Sequence, residues 1–178
     1  MADTVELRSV ERYCPKLDRW EQVKSLQFPR SCFSAVVLDG FMYAVGGYSP
    51  PCLNSVEKYD CINDRWDLVT AMNEKRMSPG VGVACGFLYA VGGHNGSIHL
   101  SSTERYDPVT DQWTIVASLG IPRTGLGVAV LDNYIFAVGG HSGTAYMKCV
   151  QRYDPYEDKW ENIDSMLAAR CSFGIAAL

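Results

Sequence analysis

Short apolar runs separated by turn residues fill the chain. Between residues 80 and 116 they read Gly80-Val81-Gly82-Val83-Ala84, the turn Cys85-Gly86, then Phe87-Leu88-Tyr89-Ala90-Val91-Gly92-Gly93. A polar loop, His94 to Leu100, leads to the alternating Ser102-Thr103-Glu104-Arg105-Tyr106-Asp107. Pro108 to Asp111 make a turn, since Asp-Pro starts turns and proline cannot sit within a sheet. Gln112-Trp113-Thr114-Ile115-Val116 closes the unit. Runs this short, rich in β-branched and aromatic residues and bounded by turn formers, predict strands. They are named a, b, c and d in chain order. Residues 31–70 and 125–164 follow the same plan, with Asp39-Gly40 and Asp132-Asn133 suited to the positive-φ positions of an a–b hairpin. No segment carries a helical period, so the chain is expected to be all-β.

A tetrad of Glu or Gln, Tyr, Trp and Arg sets the period. It runs Glu11-Tyr13-Trp20-Arg30, Glu57-Tyr59-Trp66-Arg76, Glu104-Tyr106-Trp113-Arg123 and Gln151-Tyr153-Trp160-Arg170, in steps of 46 or 47 residues. The pairs Gly46-Gly47, Gly92-Gly93 and Gly139-Gly140 keep the same step. A fixed period of this length marks a repeat architecture. Short links make the strands of each repeat an antiparallel meander. Such a sheet cannot bury both faces alone, and radial stacking of four-stranded sheets gives a β-propeller. Strand a carries small residues (Gly80, Gly82, Ala84; Gly125, Gly127, Ala129), as crowding at an axis demands. Tyr and Trp fall in later strands, where a wedge widens and rings can fill the seam.

Composition narrows the function. Of 178 residues, 47% are hydrophobic, enough for a packed core rather than a disordered chain. The net charge of −4, with no Lys/Arg run, excludes a basic nucleic-acid surface. No apolar run is long enough to span a bilayer. The polar, acidic start Met-Ala-Asp-Thr-Val-Glu is not a secretory segment, and the seven scattered cysteines form no Cys-x-x-Cys. Free thiols and a cytoplasmic location, with cytoskeletal association as a variant, are expected. Asn95-Gly96-Ser97 spells a glycosylation sequon, a tripeptide short enough to arise by chance.

Gly-Gly after strand b, Tyr-Asp after strand c and a Trp six residues past that Asp resemble the kelch repeat, whose period is about 50 residues. The wording of Asn54 to Asp60 and of Thr103 to Pro108 resembles the BTB-kelch family. There the propeller binds a substrate protein, while a separate BTB domain with its BACK extension engages cullin-3 for ubiquitin transfer. Neither domain is visible in these residues. The expected organisation is a partial propeller of fifteen strands: c and d of one blade in 1–29, full blades in 30–75, 76–122 and 123–169, and strand a of another in 170–178. The resemblance implies six blades in a complete ring.

The meander puts every d–a and b–c loop on one face and the a–b and c–d turns on the other. The b–c loops, Tyr48 to Leu53, His94 to Leu100 and His141 to Met147, are the longest and the expected binding surface. The resemblance points to the residue after Gly-Gly and to those beyond the repeated Arg. The candidates are Tyr48, His94 and His141, then His99 and Tyr146 late in their loops, then Cys32, Ser78, Gly125 and Ser172 two past each Arg. Family members that bind acidic peptides carry Arg at these last positions. This chain does not, so a neutral or apolar partner is expected. Tyr and His offer rings with one polar tip, a composition suited to hot spots. The bland alternative leaves each His simply solvated.

Arg30, Arg76, Arg123 and Arg170, each recurring with an acid or amide, are expected to be scaffold pairs. Gly46, Gly47, Gly92, Gly93, Gly139 and Gly140 are expected to be structural, as are Tyr59, Trp66, Tyr106, Trp113, Tyr153 and Trp160. No phosphate loop, G-x-G-x-x-G, H-E-x-x-H or G-x-S-x-G occurs. No catalytic residue, metal or cofactor is expected. Two rival readings are an actin-binding cytoskeletal kelch protein and, less favoured, a copper oxidase, for which the His loops could supply only an imitation of a ligand set.

Overall fold

In a computed structural model that describes residues 6–177, the chain is all-β. Fourteen five-residue strands form among the described residues. They are β1 (Val10–Cys14), β2 (Arg19–Val23), β3 (Ser34–Leu38), β4 (Phe41–Val45), β5 (Val56–Asp60), β6 (Arg65–Val69), β7 (Gly80–Ala84), β8 (Phe87–Val91), β9 (Thr103–Asp107), β10 (Gln112–Val116), β11 (Gly127–Leu131), β12 (Tyr134–Val138), β13 (Val150–Asp154) and β14 (Lys159–Ile163). They make one hairpin, β1-β2, and three antiparallel meanders, β3 to β6, β7 to β10 and β11 to β14. The a–b turns carry positive φ at both central residues, as in Asp39-Gly40, Cys85-Gly86 and Asp132-Asn133. That geometry matches the twist of a two-residue hairpin.

Neighbouring meanders share their cores. Tyr43, Val45, Val56 and Met72 of one blade pack with Leu88, Ala90, Tyr106 and Trp113 of the next. The following seam joins Tyr89, Val91 and Leu119 to Leu126, Ile135 and Tyr153. Glycine in β7 allows the close approach at the axis. A Cβ at Gly82 would lie 2.9 Å from Val130 Cγ2, and one at Gly80 would overlap Val128, both in β11. The repeated rings sit where the wedge widens. Trp66, Trp113 and Trp160 each donate Nε1–H back to the preceding blade, to the carbonyls of Lys24 (2.9 Å), Thr70 (2.8 Å) and Ala117 (2.9 Å). Tyr59, Tyr106 and Tyr153 donate to Asp64, Asp111 and Asp158. Those carboxylates in turn accept the backbone N–H of Lys24, Thr70 and Ala117. One Tyr-Asp-Trp unit therefore clamps each blade to its predecessor. Trp20 and Tyr13 have no preceding sheet among the described residues and are exposed.

The repeated arginines are internal. Arg30, Arg76 and Arg123 are buried. Each binds within its own blade to the acid or amide of the following tetrad: Arg30 to Glu57 at 2.7 Å, Arg76 to Glu104 at 2.9 Å, Arg123 to Gln151 at 2.6 Å. All three also donate to the carbonyl of the first glycine of the pair, Gly46 at 2.6 Å, Gly92 at 2.8 Å and Gly139 at 3.3 Å. Glu57 and Glu104 each accept two backbone N–H groups besides, from Gln27 and Phe28 and from Asn73 and Glu74. Glu11 and Arg170, the outermost members of the series, are exposed.

One expectation fails at the C-terminus. Residues 171–177 form no strand. Strand a is held in each meander by pairing with strand b, and among the described residues no strand b lies beyond residue 171. The segment still lies on the last blade: Ser172 N–H donates to the Gly125 carbonyl at 2.7 Å, and the Phe173 ring reaches Gly127. Leu178 lies outside the described residues.

Candidate functional site

The b–c loops are held in place by backbone pairing that begins at the second glycine of each pair. The residue after it forms two isolated bridges, one to the d–a link and one late in its own loop. Tyr48 pairs with Ser31 and Cys52, His94 with Met77 and His99, His141 with Thr124 and Tyr146. The d–a and b–c loops thus form one surface. The sequence singled out His99 and Tyr146. The first blade puts Cys52, a buried thiol, at the matching position.

Successive loops touch. The His94 and His99 rings lie edge to face at 4.8 Å, His99 meets His141 of the next blade at 5.9 Å, and His141 meets Tyr146 at 4.9 Å. Four of the five loop candidates therefore make one aromatic row across two blades, and Tyr48 stands outside it, half-buried. Tyr146 is 69% exposed and forms the open end of the row. Backbone N–H groups of Gly96 and Gly143 donate to Nδ1 of His94 and His141, both at 3.0 Å. An imidazole that accepts at Nδ1 carries its proton on Nε2, so both rings are donors at that edge. Burial first, then the neighbouring His94 and His141, push the His99 imidazole below its ordinary pKa. The three b–c loops contain no Asp, Glu, Lys or Arg. The surface is therefore aromatic, free of Asp, Glu, Lys and Arg, and rich in hydrogen-bond donors.

The residues two past each Arg do something the sequence did not indicate. Cys32, Ser78, Gly125 and Ser172 all have φ between 49° and 59°. Their backbones form a relay around the axis: Ser78 N–H donates to the Cys32 carbonyl (2.7 Å), Gly125 to Ser78 (3.1 Å), Ser172 to Gly125 (2.7 Å). Three of the four are not glycine, so the column hides its left-handed geometry, and Gly125 is its one outward sign. With Phe33, Leu126 and Phe173 these residues line a cavity of about 320 Å³. The relay takes up both backbone groups of Ser78 and Gly125, the Cys32 carbonyl and the Ser172 N–H, and the Cys32 thiol and the Ser78 and Ser172 hydroxyls are the polar side chains at the mouth.

Among the described residues, no group of three or more His, Cys, Asp or Glu side chains has metal-holding geometry. A metal-bound imidazole normally donates from its other nitrogen, whereas Nδ1 of His94 and of His141 accepts. No helix among the described residues is long and apolar enough to cross a membrane.

Comparison with known proteins agrees with this geometry. Among curated protein sequences none gives a significant match. A solved structure of YjhT superposes with a TM-score of 0.77 at 16% identity, covering 86% of this chain and 57% of that one. At that identity the likeness shows the fold, and the chain spans little more than half of the matched structure. The Kelch motif model matches residues 29–73, 75–120 and 122–167. The chain belongs to the kelch-motif family, and its repeats build blades of a kelch-type β-propeller.

Proposed function

We propose that the loop face recognises a neutral or apolar segment of a target protein, and that this recognition selects substrates for a cullin-3 ubiquitin ligase in the cytoplasm. The observation that carries the reading is the aromatic row His94–His99–His141–Tyr146, edged by Tyr48 and the axial mouth at Cys32, Ser78 and Ser172. Its rings supply apolar area at low conformational cost, and its Nε2–H and phenol groups supply donors for main-chain carbonyls. The b–c loops carry no Lys or Arg to pair with an acidic motif. The ligase role is supported by the resemblance of Asn54 to Asp60 and Thr103 to Pro108 to BTB-kelch repeats, and cullin-3 would be engaged through a BTB domain outside these residues.

The test is affinity capture with the wild type and with Tyr48→Ala combined with Tyr146→Ala. A target recovered by the first and lost by the second supports the site, and equal recovery moves it elsewhere. If the target's level does not rise when cullin ligases are inhibited, the ligase role falls while the interaction role stands. Actin filaments belong in the same experiment, since co-sedimentation that survives the double substitution would favour the cytoskeletal reading.

A further inference from the structure

The loop His94 to Leu100 contains an arrangement that no docking role requires. Asn95 is half-buried and is followed by the exposed Gly96. The Asn95 side-chain carbonyl Oδ1 accepts two backbone N–H groups, from Ser97 and Ile98, each at 2.9 Å. The Gly96 N–H points away from it, to His94 Nδ1 at 3.0 Å. An amide carbonyl is thus polarised by two fixed donors, as in an oxyanion hole. The adjacent peptide nitrogen has its proton already hydrogen-bonded to an imidazole lone pair, the position of a general base. Gly96 has no Cβ to obstruct ring closure and stands at φ 101°.

We propose that Asn95 is a self-modifying site, at which the loop promotes its own deamidation. His94 Nδ1 takes the Gly96 amide proton as the Gly96 nitrogen bonds to Asn95 Cγ. The charge that develops on Oδ1 is held by the Ser97 and Ile98 N–H groups. The Cγ–Nδ2 bond then breaks, the proton passes from His94 to the departing nitrogen, and ammonia leaves a five-membered succinimide. Water adds to either ring carbonyl, the ring C–N bond opens with the proton returning to nitrogen, and the product is aspartate or its isoaspartyl isomer. The net change is uptake of one water and release of one ammonia, with no other reactant.

The repeat supplies its own control. The next loop copies the device, with Gly143 N–H on His141 Nδ1 at 3.0 Å and Ser142 Oγ accepting from Thr144 and Ala145. Ser142 has no amide to lose. In the first blade the matching pair is Ser49-Pro50, and proline has no N–H to give up. The product would set a negative charge beside His94 on a b–c surface that otherwise holds none. That consequence for partner choice rests on the docking reading above, whereas the chemistry does not.

The test follows the peptide spanning Asn95 by mass spectrometry after incubating the full chain at neutral pH, folded and in guanidinium. The folded chain is expected to convert about tenfold faster or more, and His94→Phe, folded by circular dichroism, to fall to the unfolded rate. Ser142→Asn is expected to create a second fast site over His141, which keeps the proposal testable if His94→Phe does not fold. A folded rate at or below the unfolded one would show that the loop protects Asn95 and would overturn the proposal. A wild-type rate in folded His94→Phe, or a stable Asn at position 142, would do the same. No partner is needed for these measurements, so they stand or fall apart from the docking site.

Discussion

A carboxylate and a guanidinium with no exposure hold each of the first two complete blades together, and their value depends on both being present. Glu104 neutralises Arg76 and also accepts the N–H groups of Asn73 and Glu74. Glu104→Ala would leave Arg76 only the partly exposed Glu74 carboxylate at 3.1 Å and would orphan two backbone donors, an expected loss of about 3 kcal/mol in urea unfolding. The third blade has only the neutral Gln151 against Arg123, and Nε of Arg123, like that of Arg30, finds no partner. Desolvation accordingly lowers the Arg123 pKa. Gln151→Glu is expected to raise stability by about 1–2 kcal/mol by restoring the charge-assisted bonds of the other blades, and an unchanged unfolding midpoint would contradict that. The clamp tyrosines give a pH signature. Burial, then the bond to Asp64, push the Tyr59 phenol up from 10.0 to about 12, and Tyr106 and Tyr153 shift the same way. A phenol held protonated in the folded state contributes stability in full below pH 10 and loses it as pH rises through the folded value. Ultraviolet titration should therefore show these phenols ionising only together with unfolding above pH 10, and early reversible ionisation of all ten tyrosines would refute the clamp.

Strand identity was legible from the sequence because each run is short, rich in β-branched or aromatic residues and bounded by turn residues, and every blade repeats it. The a–b hairpins were legible because Asp-Gly, Cys-Gly and Asp-Asn mark positive φ. Strand a at the C-terminus was not, because a strand depends on a neighbour that its own residues do not encode. The direction of the Arg pairs was likewise hidden: the tetrad groups Arg76 with Glu57, while the fold pairs it with Glu104, which the chain reaches only after two more strands. The axial relay left one visible sign, Gly125. Glycine roles separate in the same way. Gly92 has φ 60°, and an added Cβ would strike the Arg123 carbonyl, whereas Gly86 has φ 78° in open space. Gly86→Ala is expected to cost about 1–2 kcal/mol from the left-handed backbone alone. Gly92→Ala should cost clearly more, because the link carrying Arg123 must also move. Equal thermal shifts for the two would mean that the Gly-Gly corner is not a packing constraint.

At the scale of the whole molecule, the meander decides function by sorting loops between two faces. The b–c and d–a loops fuse through the bridges at Tyr48, His94 and His141, while the c–d turns carrying Ile62, Val109 and Tyr156 lie opposite. The sorting of loops between the two faces was legible from strand count and loop length. The histidine row was legible as residues but not as a row, since contact between His99 and His141 is a property of neighbouring blades. Tyr146 and Tyr156 are similarly exposed, at 69% and 79%, and sit on the two faces, so they form a matched pair of probes. A photo-crosslinking residue placed at position 146 or at position 156 in the full-length protein tests the account most directly. Crosslinks to the target from position 146 and none from 156 are expected, whereas crosslinks from 156 alone would put the recognition surface on the opposite face.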